Sequence, residues 1–129
     1  MWRVLVVDDN FSNRKLILKI LKGISDCDVA ANGKEALEAY ELSLKEKRPY
    51  DIILLDIAMP GMDGMEVLKK LREKEEKSGI KLEKKIPVIM VTAHREPFFD
   101  AFKKGADDYI SKPIRPEMLI ERMKRLLKK

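Results

Sequence analysis

The stretch RVLVVDDN, Arg3 to Asn10, decides how the rest of the chain is read. Val4, Leu5, Val6 and Val7 form an apolar, mostly β-branched run with no polar residue between them. Such a run predicts a strand buried on both faces, the kind found in parallel sheets. It ends in two adjacent acids, Asp8 and Asp9. Neighbouring like charges oppose each other's ionisation unless something positive neutralises them. The pair therefore marks either a solvated loop or a place built for a cation.

Working outward, strand-like runs recur at 27–31, 51–56 (DIILLD), 86–92 (IPVIMVT) and 107–111 (DDYIS), after the first at 3–8. Helical spacing separates them: Leu16, Ile17, Ile20 and Leu21; Ala36, Leu37, Tyr40 and Leu44; Val67, Leu68 and Leu71. Phe98, Phe99 and Phe102 mark a short fourth helix, and Met118, Leu119, Met123, Leu126 and Leu127 a fifth. Five βα units predict an α/β domain, a parallel sheet with helices on both faces. With no repeat and no linker, residues 1–129 read as one domain. The segment 74–85 reads as the overlong end of the third helix plus a polar connection around Ser78 and Gly79, a solvated charge run. PGMDG, 60–64, is a tight loop in which Asp63, with Glu66 three residues on, is a helix N-cap and not a metal ligand.

Composition limits the function classes. The charged fraction, 38%, is well above the ~25% of an average domain. The net charge of +5 invites nucleic acid as a partner, but Lys and Glu interleave through 66–85 and form no basic stripe. Only the C-terminal ERMKRLLKK is lopsidedly basic, where a helix end favours cations in any case. One cysteine, Cys27, excludes an internal disulfide and reads as a half-buried strand residue. No membrane span and no signal-peptide pattern is present, so a cytoplasmic location is expected. Met1, directly before the first strand, reads as a true N-terminus.

In an open parallel sheet, ligands bind outside the carboxyl ends of the strands. Asp51, Asp107 and Asp108 begin strands and are expected to be solvated turn acids at the wrong edge. Asp8, Asp9, Asp56, Thr92 and Lys112 all lie at strand carboxyl ends and converge on one edge. Three carboxylates together call for a hard cation, and Mg²⁺ (Mn²⁺ as substitute) suits oxygen ligands while leaving positions for phosphate. A Lys and a Thr beside it supply an ammonium and a hydroxyl for a phosphoryl group. The absence of GxGxxG and GxxxxGK[ST] after the first strand argues against a nucleotide.

VLVVDDNFSNR, YDIILLDIAMPGMDG, VIMVTAH and GADDYISKPI together resemble the receiver domain of two-component response regulators, over essentially the whole chain. The resemblance implies a flavodoxin-like doubly wound fold with strand order 2-1-3-4-5. It implies that Asp56 accepts a phosphoryl group from a histidine kinase or histidine phosphotransfer protein. Asp9 would bind Mg²⁺ directly, Asp8 through water, with the Ala58 main-chain carbonyl completing the protein ligands. Lys112 would contact the phosphoryl group, Thr92 would respond to it, and Tyr109 would reorient with Thr92. Lys112–Pro113 matches the family's cis peptide. Ala58 and His94 border the path of water to the phosphoaspartate and would tune its lifetime. The face made by the fourth helix, fifth strand and fifth helix would meet downstream partners or a second copy, and the domain would bind neither DNA nor membrane.

Two alternatives stand beside this one. A receiver belonging to a hybrid kinase or longer regulator would carry the same motifs, and DDNFSNRKL looks like that kind. A Mg²⁺-dependent aspartyl phosphohydrolase would carry D-x-D after the first strand, whereas here the acids are adjacent and Asp56 lies on the third.

Overall fold

The computed structural model describes residues 1–93 and 105–127. Its five strands are β1 (Trp2–Val7), β2 (Ser25–Ala30), β3 (Ile52–Asp56), β4 (Val88–Thr92) and β5 (Asp108–Ser111). All pair in parallel, in the order β2-β1-β3-β4-β5. The described α-helices are α1 (Phe11–Leu21), α2 (Gly33–Lys45), α3 (Gly64–Lys77) and α4 (Pro116–Leu127). The expected short helix marked by Phe98, Phe99 and Phe102 lies outside the described residues, so α4 is the sequence's fifth.

The unbroken apolar strands have a direct cause. β1 is bonded on both edges, with Val4–Val7 opposite Cys27–Ala30 on one side and Ile52–Leu55 on the other. Its faces are both covered. Leu5, Val7, Ile53, Leu55, Val88 and Met90 pack with Ala36 and Tyr40 of α2 and with Val67, Leu68 and Leu71 of α3. Val4, Val6, Ile52, Leu54, Ile89 and Val91 pack with Ile17 and Leu21 of α1 and Leu119 and Met123 of α4. Successive side chains thus enter opposite cores, and neither can be polar.

Helix starts are fixed by side-chain caps. Asn10, Asn32 and Asp63 each accept from the backbone amide three residues on, at 2.9 Å, which satisfies a donor that the helix itself leaves unpaired. Asp63 is therefore a cap, as expected.

Strand limits differ from the sequence reading. β2 begins at Ser25, opposite Trp2, because its polar residues extend the ladder without adding apolar signal. β4 begins at Val88, after Pro87, whose ring nitrogen has no hydrogen to donate. Past α3, Ser78 caps the helix and Gly79 takes φ +70°, which supports the expected connection there. One part of the solvated charge run is corrected: Glu75 is 1% exposed. Its carboxylate accepts from Arg72 and from the Ile86 amide, each at 2.7 Å, so three consecutive charged residues, Lys74 to Glu76, are not all on the solvated face.

Leu68 is fully buried beneath the sheet. Leu68→Ala should cost about 2–5 kcal/mol, read as a lowered urea midpoint at unchanged m-value.

Candidate functional site

The acids meet where β1 and β3 end. Asp56 is the last residue of β3, while Asp8 and Asp9 follow β1 as the chain turns into α1. Asp8 donates its amide to the Ala30 carbonyl at 3.1 Å, and its carboxylate accepts the Asn10 amide at 2.9 Å. Carboxylate oxygens of Asp8, Asp9 and Asp56 all lie within 4.8 Å of one another. Asp8 and Asp56 are buried, 2% and 4% exposed, whereas Asp9 faces solvent.

Lys112 follows β5 and crosses the sheet edge to reach this cluster. Its ammonium donates to Asp8 Oδ2 at 3.0 Å and stands 3.6 Å from Asp56 Oδ1. Its backbone amide donates to the Thr92 carbonyl at 2.8 Å, which fastens it to the end of β4. The Lys112–Pro113 peptide is cis. One ammonium between two buried carboxylates leaves an excess of negative charge. Asp56 shows the result: its carboxyl rises from an ordinary 3.8 to about 6. Burial is the largest cause and the Asp8 charge the second, with Lys112 opposing both.

Thr92 is fully buried at the end of β4, one register step beyond Val91, the partner of Asp56. Tyr109 is 8% exposed and lies further back on β5, opposite Met90. Ala58 is exposed in the loop after β3. His94 lies outside the described residues. Sequence reading thus brought Asp8, Asp9, Asp56 and Lys112 to one spot, with Thr92 joined through the backbone. It placed Asp51, Asp107 and Asp108 at the opposite edge correctly, but not all are solvated. Asp108 is bonded to Arg122 at 2.8 Å with its side chain 15% exposed, and Asp107 is bonded to Arg72 at 3.1 Å.

Two supporting residues escaped the sequence reading. Arg14 donates to the Asp8 carbonyl at 2.8 Å and lies over the Phe11 ring, bracing the turn that carries both acids. Gly64 begins α3 against the backbone of Asp56 itself. A Cβ there would overlap the Asp56 carbonyl oxygen and sit 2.8 Å from the Ile57 Cα. Its amide donates to the Ile57 carbonyl at 2.8 Å, closing the 57–63 loop at its base. The only sequence signal was the glycine in PGMDG, read as a turn residue and not as a close backbone contact.

With this arrangement in view, comparison with known proteins is decisive. Residues 4–124 match the response regulator receiver domain family. The hybrid signal transduction histidine kinase I of Dictyostelium discoideum is 42% identical over 125 residues, 92% of this chain and 7% of that protein. The transcriptional regulatory protein SrrA of Staphylococcus aureus is 40% identical over 129 residues, 98% of this chain and 48% of that protein. The chain therefore spans about half or less of the length of these curated relatives. Among solved structures, the chemotaxis protein CheY4 of Vibrio cholerae superposes with a TM-score of 0.79 at 31% identity, covering 98% of this chain and 99% of that one. The chain belongs to the receiver domain family of two-component response regulators, and its sheet order is the flavodoxin-like one.

The raised Asp56 carboxyl makes a stability prediction. A carboxyl that binds its proton more tightly when folded contributes stability below the unfolded value, near 3.8, and that contribution is lost as pH rises through about 6. In metal-free buffer at pH 7, Asp56→Asn should therefore be more stable than wild type by up to about 3 kcal/mol. Urea unfolding in EDTA should show the gap closing as pH falls from 7 towards 4.

Proposed function

We propose that residues 1–129 form a phosphorylation-dependent switch in which Asp56 takes a phosphoryl group from a phosphohistidine of a histidine kinase or histidine phosphotransfer protein. The observation that carries this reading is the grouping of Asp8, Asp9 and Asp56 around a lysine ammonium at one sheet edge. In the transfer, an Asp56 carboxylate oxygen attacks phosphorus, the P–N bond to the donor imidazole breaks, and a mixed anhydride forms. Such a step depends on alignment and neutralisation of charge more than on covalent chemistry by the protein.

Each residue has a part in that task. The β3 terminus and the Gly64 contact hold Asp56 in a fixed place, so the attacking oxygen needs little reorganisation. Lys112 is positioned to follow the incoming anion and to stabilise the charge that builds on its oxygens. Thr92 offers a hydroxyl from the next strand, and Tyr109 lies behind it on β5. The donor set of Asp8, Asp9 and Asp56, all carboxylate oxygens, fits a hard divalent ion. With the Ala58 carbonyl they would hold Mg²⁺ or Mn²⁺, which supplies further neutralisation of the acceptor and the transferring group. We assign no separate enzymatic substrate to the domain. We place its action in the cytoplasm, with downstream contact through the face of β5 and α4.

Acetyl phosphate with Mg²⁺ should add one phosphoryl group to the wild type, visible as a single mass increment. Asp56→Asn should abolish it and EDTA should block it. Undiminished labelling of Asp56→Asn would remove Asp56 as the acceptor.

A further inference from the structure

At the opposite end of the sheet from the acid cluster, one guanidinium joins three elements. Arg72 of α3 is 13% exposed. Its Nη1 donates to Glu75 at 2.7 Å and to the Ile86 carbonyl, just before β4, at 2.8 Å. Its Nε and Nη2 both donate to the Gly105 carbonyl, at 3.1 and 2.8 Å, and Nη2 also reaches Asp107 Oδ2 at 3.1 Å. That same Asp107 oxygen accepts the Val88 amide at 2.8 Å, and the Asp107 amide donates to the Val88 carbonyl at 2.9 Å. Glu75 completes the junction by accepting the Ile86 amide. A buried, fully bonded charge pair of this kind fixes geometry more surely than it adds net stability.

The strand anchored here is the one that delivers Lys112. β5 is four residues long and lies at the sheet edge, with β4 as its one partner among the described strands. A strand of that length has few ladder bonds to resist slipping, while it is stiff along its axis. Lys112 lies five residues past Asp107, about 16 Å along an extended chain. The other end of α3 rests on the acceptor, where Gly64 touches the Asp56 backbone. Gly64 and Arg72 are eight residues apart, about 12 Å of helix. One rigid helix therefore touches both Asp56 and the base of the strand that carries its lysine.

We infer that Arg72 is a positioning residue for Lys112: by fixing the base of β5 to α3, it sets the distance between the Lys112 ammonium and Asp56. The inference rests on the proposed phosphoryl transfer to Asp56. It requires the effect of Arg72 to run through Lys112, and this separates it from a general contribution to folding.

A double-mutant cycle tests it, using Arg72→Met, Lys112→Met and the pair. Two quantities are read: affinity for beryllofluoride with Mg²⁺, as a phosphoryl mimic, and the rate of labelling by acetyl phosphate. With Lys112 present, Arg72→Met should weaken the first and slow the second about tenfold, because small misplacements of a charged group are costly. In the Lys112→Met background the same change should have an effect below about twofold. Equal losses in both backgrounds, or no loss with Lys112 present, would overturn the inference. Asp107→Asn guards against a variant that fails to fold, since it keeps an acceptor for Val88 and removes only the ionic contact. It should give about a threefold loss, again dependent on Lys112, and a loss independent of Lys112 counts against the inference. A wild type that takes up neither acetyl phosphate's phosphoryl group nor beryllofluoride would overturn the proposed function itself. A working wild type with an additive cycle would overturn the role of Arg72 alone.

Discussion

The burial of two carboxylates beside a third, with one ammonium to balance them, is the constraint on which the rest of this molecule depends. Asp8 and Asp56 sit at 2% and 4% exposure because they stand at the carboxyl ends of strands buried between two cores. Uncompensated, that position disfavours the ionised form, and the rise of the Asp56 carboxyl to about 6 records how incomplete the compensation is. Lys112 reduces the imbalance from the far side of the sheet edge, across β4. The cluster can form only where parallel strands end together, which ties the chemistry to the topology.

The scaffold tolerates this because its rigidity is built elsewhere. Each face of the sheet has its own layer of buried aliphatic side chains, and α1, α2 and α3 begin on capped turns. The loop after β3 is held by backbone as well as by side chains: the Gly64 amide closes on the Ile57 carbonyl, and Ile57 and Met59 are buried in the core. Flexible residues would let two repelling acids drift apart. A glycine packed on the strand end prevents that, at a position where a Cβ would overlap the Asp56 carbonyl.

Much of this was legible in the sequence because it is written locally. Unbroken apolar runs identify doubly buried strands, and the strand-end rule sorts Asp8, Asp9 and Asp56 from Asp51, Asp107 and Asp108 without knowledge of any contact. What escaped is what depends on partners distant in the chain. Glu75 sits in a run of Lys and Glu and reads as solvated, yet its partner backbone lies at Ile86, eleven residues on. Asp108 looks like a turn acid until Arg122, fourteen residues later, lies against it. Periodicity reports which face a residue occupies, and a charged residue at a helix's buried margin carries no mark of whether a counter-charge waits there.

Under the proposed function, the electrostatic imbalance would let occupancy of the site act as a conformational signal. Any ligand that binds the folded state alone stabilises it, by an amount that grows with the logarithm of its concentration relative to Kd. A cation among Asp8, Asp9 and Asp56 would relieve the repulsion that burial imposes. Under the proposed transfer, a phosphoryl group on Asp56 would present new oxygens to Lys112, whose ammonium stands 3.0 Å from Asp8 and 3.6 Å from Asp56. A shift of that ammonium towards Asp56 would act on the end of β5, which the Lys112 amide links to the Thr92 carbonyl at the end of β4. In that reading, the groups that would make the acceptor reactive are the same groups whose rearrangement would distinguish the occupied state from the empty one.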